Sequence, residues 1–215
     1  IGRLVGRITV DDVMDQVRES SERDYQLASG LSSDVDASDS ILAQTKARIP
    51  WLLIGIVSGI LASLILTGFE AQLQAVTTLA IFIPIIGGTG GNVGVQASAI
   101  VVQGLANGTL DIKEFAKQLW KEVRVGLLNA TIISGVIFVY NLIMIPHDFA
   151  VTLSVAVSLF IVVMFATLLG TIVPLTLEKL KINPALATGP FIQISNDIVG
   201  LVIYVFISTW FLSIF

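Results

Sequence analysis

Asp197 lies in the last of five long apolar runs and is the only ionisable side chain inside any of them. A charge at mid-membrane costs about 2.5–3.5 kcal/mol on insertion scales. No Lys, Arg or His stands in those runs to neutralise it. Asp197 must therefore be hydrated, face a cation that is not part of the chain, or be protonated and bonded to a neighbouring helix. Asn196 beside it adds a neutral oxygen, although adjacent residues on a helix point about 100° apart.

Two further segments could contribute oxygen ligands. Pro84-Ile-Ile-Gly87-Gly88-Thr-Gly90-Gly91-Asn92-Val-Gly94-Val-Gln96 places four glycines in five residues after a proline, a composition poor for helix. Irregular backbone at membrane depth is tolerated where protein shields it or a wet cavity adjoins it, and carbonyls freed there are hard-oxygen ligands. The alternative is close helix packing, because Gly87/Gly91 and Gly90/Gly94 are both GxxxG pairs. The segment lacks the GK[ST] ending of a P-loop and does not match the TVGYG potassium filter. Asn183-Pro184-Ala-Leu-Ala-Thr188-Gly189-Pro190 interrupts the last run in the same way, and broken segments in two spans point to a mid-membrane binding site. Gly170 and Pro174 in the fourth run read as a kink. One carboxylate with carbonyl and amide oxygens, in a chain without cysteine, favours hard cations over zinc, copper or iron. Mg²⁺ keeps several of its waters and is held by one or two carboxylates, so a single Asp per subunit, doubled in a dimer, suits it.

The elements that position these residues follow from composition. Of 215 residues 54% are hydrophobic and 13% charged, with mean hydropathy +0.88, whereas a soluble domain carries about 25% charged residues. The expected class is an all-α integral membrane protein with five spans, preceded by a short α/β remnant. The uncharged runs are Ile49–Phe69, Ala71–Leu110, Val125–Pro146, Phe149–Leu177 and Ile182–Phe215, the last broken only by Asp197 some fifteen residues in. If 71–110 crosses once, all 12 Lys and Arg fall on one side, in the N-terminal region, the 107–124 loop and the 178–181 loop. The loops around Glu70 and His147-Asp148 hold none, which places the N-terminus in the cytoplasm, the C-terminus outside, and the chain in the inner or plasma membrane. Ile112, Phe115, Ala116, Leu119, Trp120 and Val123, with Lys113, Lys117, Lys121 and Arg124 between them, predict a helix lying on the inner face and anchored by anionic lipid.

Upstream, Leu4 to Val10 reads as a strand, with Asp11-Asp12 capping a short helix from Val13. Residues 29–40 are a polar linker, and a helix from Ile41 to Arg48 leads into the membrane at Pro50-Trp51. The expected division is 1–30 as the end of a soluble domain, 31–48 as linker and connecting helix, and 49–215 as the membrane domain. The chain opens inside a folded unit, as the C-terminal part of a longer protein would. Asp11, Asp12, Asp15, Glu19, Glu22, Asp24, Asp34, Asp36 and Asp39 crowd this juxtamembrane region. Such a cluster is either a solvated face or a set of like charges that a cation must screen, the physics of a metal-sensitive gate.

The run Pro84 to Gln96, followed by Ala106-Asn-Gly-Thr-Leu-Asp-Ile, together with Asn183 to Phe191 and Asn196-Asp197-Ile-Val-Gly200-Leu-Val-Ile-Tyr204, resembles the MgtE magnesium channels. Arg3 to Asp15 resembles the last strand and helix of that family's second CBS domain. The resemblance implies a non-enzymatic homodimer that passes Mg²⁺ inward, with a pore lined by the second and fifth spans, and no nucleic-acid partner. Asp197 matches the pore carboxylate, and Gly88 and Gly91 match positions whose carbonyls face the hydrated ion, with Asn92 and Asn196 alongside. Pro84, Gly87, Gly90, Gly94, Gly189 and Pro190 would shape the pore. Asp34 to Arg48 looks like the plug helix that closes when Mg²⁺ bridges it to acidic residues matched by Asp11, Asp12, Asp15 and Asp24. Val95 stands where the family pattern has Asn, and Ser20-Ser-Glu-Arg-Asp24 departs from its acidic helix tail.

Overall fold

The computed structural model describes residues 6–111, 114–145 and 148–214. Its helices are α1 (Val10–Ala28), α2 (Ile41–Gly68), α3 (Glu70–Ala75), α4 (Thr78–Ala106), α5 (Phe115–Met144), α6 (Phe149–Lys179) and α7 (Pro190–Ile214), with a 3-10 turn at Pro184–Ala187 before the last. Five of them (α2, α4, α5, α6 and α7) are long and apolar enough to cross a membrane, as the distribution of charge predicted.

α6 occupies the centre. Its Val151, Val155, Leu159, Val162, Val163 and Ala166 are all buried, and α4, α5 and α7 pack around it. α4 supplies a stripe at helical spacing, Leu79, Phe82, Ile86, Gly90, Gly94, Ala97 and Val101. α5 packs on α6, whereas α2 rests mainly on α7 and leaves most of its surface open. Lipid is as apolar as leucine, so burial from water does not hold such helices together; close packing does. Small residues show this at the crossings. A Cβ on Gly90 would come within 2.8 Å of Val162 Cγ1, and one on Gly126 within 3.0 Å of Thr167 Cγ2. Gly170, expected to kink α6, lies directly against the carbonyl oxygen of Gly94.

Several expectations change. The strand is absent among the described residues: Leu4 and Val5 lie outside them, residues 6–9 are irregular, and Val10 begins a helix of 19 residues. Thr9, not Asp11 or Asp12, is its N-cap. Asp12 N–H donates to Thr9 Oγ1 at 3.2 Å and Thr9 N–H donates to Asp12 Oδ2 at 2.8 Å, a reciprocal capping box. This bonding holds the exposed Asp12 carboxyl below its ordinary value. The inner-face helix is likewise not separate. Ile112 and Lys113 lie outside the described residues, and Phe115 to Arg124 form the first turns of α5, continuous with the third span. His147 also lies outside the described residues.

The glycine-rich run does not break. α4 is continuous α-helix through Pro84 and every glycine to Ala106. Helix propensities are measured in water, where an unfolded backbone can bond to solvent; inside a bilayer each N–H and C=O must be met within the chain, which enforces helix on a poor sequence. Pro50 is carried inside α2 in the same manner.

Candidate functional site, a carboxylate facing glycine backbone

Because α7 begins at Pro190, Asp197 stands two turns into it, closer to its start than the apolar run suggested. The break before α7 has a local cause. Asn183 caps the 3-10 turn by accepting from Ala185 N–H at 2.9 Å, and Gly189 takes φ +55, a left-handed conformation that suits glycine. The turn fixes where α7 starts and so the height of Asp197.

The half-buried Asp197 points toward α4, where Oδ1 lies 3.2 Å from the position a Cβ would take on Gly91 and 3.7 Å from that on Gly87. Two side-chain-free positions on one helix face therefore receive the carboxylate. On its other side a cleft of about 350 Å³ separates α7 from α2, lined by Gly55, Ser58, Gly59 and Ala62 with Gln193 and Asp197. Asp197 has no hydrogen-bond or ion-pair partner among the described residues, and no cluster of three acidic, His or Cys side chains forms there. An unpaired carboxylate, a serine hydroxyl, a glutamine amide and bare backbone make an oxygen-rich, cation-attracting surface.

The other candidates distribute around it. Gly88 and Asn92 lie on the exposed surface of α4, with nothing of this chain within 4 Å of a Cβ on Gly88. Asn196 is turned inward, buried against Gly94. Gly90 and Gly94 serve helix packing, and Pro84 is exposed within α4. Ser58 and Gln193 were not anticipated. The Gly55/Gly59 pair in the first span was their one signal in the sequence, since it marks a face where another helix can approach.

Asp11, Asp12, Asp15, Asp34, Asp36 and Asp39 are spread over α1 and the linker. Among the described residues no three acidic side chains converge to hold a metal. Asp39 instead closes a turn, accepting from Asp36 N–H at 2.8 Å. Residues 34–40 are irregular and Ile41–Arg48 are the first turns of α2, while α1 and the residues just after it meet the 3-10 turn and the start of α7. Asp24 Oδ1 accepts from Asn183 Nδ2 at 2.8 Å, the Ala28 carbonyl oxygen abuts Gly189, and Gly30 at φ +82 packs on Pro190, whose Cγ would lie 2.6 Å from an added Cβ. Between α1, α4 and the 3-10 turn lies a cavity of about 690 Å³ that includes Asp24, Tyr25, Gln103, Thr188 and Gly189.

The profile of the MgtE divalent cation transporters matches residues 83–207, more than half of the chain. A magnesium transporter MgtE of Thermus thermophilus is 38% identical over 205 residues, covering 94% of this chain and 45% of that protein. Its namesake in Bacillus subtilis is 34% identical over 209 residues, 97% of this chain and 46% of that protein. The Enterococcus faecalis protein of the same name is 28% identical over 212 residues, 99% and 46% respectively. The chain thus spans about half the length of these relatives. The matched residues include the facing glycines of α4 and the carboxylate of α7, and on that match the chain belongs to the MgtE divalent cation transporter family.

Proposed function

We propose that the chain forms the ion path of an Mg²⁺ channel in the inner or plasma membrane, with its N-terminus in the cytoplasm. The carrying observation is the unpaired Asp197 carboxylate set between the cleft of α2 and the Gly87/Gly91 face of α4. The relatives are named as magnesium transporters, which agrees with a non-enzymatic role and with Mg²⁺ as cargo. Since α4 stays helical, the carbonyls of Gly88 and Gly91 are engaged in helix bonding, but each keeps a second lone pair. Such oxygens suit an ion that retains its waters better than one stripped of them. An inside-negative potential supplies about 2.3 kcal/mol per charge per 100 mV, about twice that for Mg²⁺, so no coupled ion is required.

The exposed Gly88 and Asn92 border the same helix face, and a second copy of the chain laid on it would complete the path from two sides. The homodimer belongs to this proposal. Gating is assigned more narrowly. The acidic residues of α1 and the linker form no closed cation site by themselves among the described residues. What the contacts support is α1, docked on the 3-10 turn through Asp24 and Asn183, as the element that closes the cytoplasmic end.

The test is Mg²⁺ influx into proteoliposomes under an inside-negative potential, comparing the parent with Asp197→Ala and Asp197→Asn. Loss of flux in both, with the protein folded, supports a fixed pore charge. Parental flux through Asp197→Asn removes the carboxylate from the path and sinks the reading. Current that persists without any counter-ion gradient separates a channel from a coupled carrier.

A further inference from the structure

We infer that Asn196 is a positioning residue, whose volume, seated at Gly94, sets the rotation of α7 that aims Asp197 at the ion path. The inference rests on the reading of Asp197 given above.

Asn196 is 1% exposed. It sits so tightly over Gly94 that an added Cβ there would run into its Nδ2, and Ile192 Cγ2 would lie 2.8 Å away. The carbonyl oxygen of Gly94 fills the space that Gly170 leaves by having no side chain. Three helices, α4, α6 and α7, therefore meet at one glycine, and Asn196 is wedged into the junction from α7 beside Ile192. Successive residues of a helix are turned about 100° apart, so seating Asn196 inward directs Asp197 to a different face, where Gly87 and Gly91 receive it.

The carboxamide chemistry is not what holds Asn196 there. Neither Oδ1 nor Nδ2 has a hydrogen-bond partner among the described residues, and an unpaired buried amide disfavours the site rather than stabilising it. Shape remains: a side chain of this volume fills a junction that close packing leaves no freedom to rearrange. Asn196 is thereby separated from Asp197 in role, although the two are neighbours in sequence.

The experiment measures Mg²⁺ influx against Mg²⁺ concentration in proteoliposomes of the whole chain. Asn196→Leu, which keeps the branched outline with somewhat bulkier methyl groups in place of the amide, keeps the half-saturating concentration within about twofold where it folds. Asn196→Ala, which empties the junction, raises it about fivefold or more, because small misplacements of a binding group weaken its interaction steeply. Gly94→Ala lowers flux about tenfold or more, and adding Asn196→Ala to it restores most of the loss, a coupling expected only of residues in contact. Half-saturation is a property of the molecules that conduct, so a lower yield of folded protein does not mimic these shifts. Parental half-saturation in Asn196→Ala, or a folded Asn196→Leu as inert as Asp197→Asn, overturns the inference, the latter by making the amide itself a ligand. If Gly94→Ala does not fold, the Leu and Ala variants still decide. Parental conduction by Asp197→Asn would remove the underlying reading instead, which keeps the two failures distinct.

Discussion

Asn183 donates through Nδ2 to Oδ1 of Asp24 at 2.8 Å, joining two residues 159 positions apart. One lies in the last turns of α1 and the other caps the turn from which α7 starts. The bond ties the juxtamembrane helix to the helix that carries Asp197. If α1 closes the path, weakening this tie opens it. Asp24→Ala or Asn183→Ala is expected to raise Mg²⁺ influx, by about fivefold at most, since an exposed bond of this kind is worth about 1 kcal/mol or less. Flux assays on the two single variants and the double variant check this, and equal effects in all three mark one shared contact.

Gly91 and Gly88 differ by their surroundings. A Cβ at Gly91 would lie 3.1 Å from Gln193 Cγ and 3.2 Å from Asp197 Oδ1, whereas one at Gly88 meets nothing within 4 Å in this chain. Gly91→Ala is expected to reduce flux by about tenfold, since it pushes directly on the carboxylate. Gly88→Ala leaves the subunit's own packing intact, so a loss of flux there reports crowding of the ion path or of a second subunit laid on that face, not a disturbed contact within this chain. The chain has no cysteine, so Gly88→Cys alone provides a clean test, with an intermolecular disulfide expected under oxidation.

Tyr204 is fully buried and its hydroxyl donates to the carbonyl oxygen of Leu79 at 2.7 Å, near the start of α4. Tyr204→Phe is expected to destabilise the protein by about 1 kcal/mol, in keeping with polar contacts between membrane helices. Thermal unfolding in detergent reads the change, while half-saturation by Mg²⁺ stays parental because the contact lies away from the cleft.

The capping box of α1 gives a pH expectation with a definite sign. The hydrogen bonds from Thr9 hold the carboxyl of Asp12 below its ordinary value. A depressed folded value contributes stability above the unfolded one, and that contribution is lost as pH falls through the folded value. The first turn of α1 should therefore keep constant hydrogen-exchange protection from neutral pH to about pH 5, and lose it below about pH 4. Asp12→Asn should flatten the profile.

Much of this architecture is legible in the residues because charge is scarce. Twelve cations confined to three segments fix the number of crossings, and a single Asp in an apolar run announces itself. What the sequence obscures is governed by contact. Gly87 to Gly94 look like a helix breaker until the bilayer's demand for internal hydrogen bonding is counted. Asn196 and Asp197 must point about 100° apart on a helix, and only the packing at Gly94 decides that Asn196 is the one turned inward. Ser58 and Gln193 are ordinary polar residues until α2 and α7 bring them to one cleft. The contacts of α1 are of the same kind, since composition makes α1 and the 34–48 segment alike polar and acidic, and packing alone brings Asp24 to Asn183 and the end of α1 to Gly189.

The peripheral position of α2 bears on how the protein is made. α2 emerges first among the spans, yet its main partner, α7, is synthesised only after α4, α5 and α6. Until then it has to stay inserted without that partner, a state its long apolar sequence can sustain. The cleft beside Asp197 therefore closes only once α7 comes back to meet α2. A ribosome stalled before Pro190 would leave α2, α4, α5 and α6 without the helix that carries Asp197.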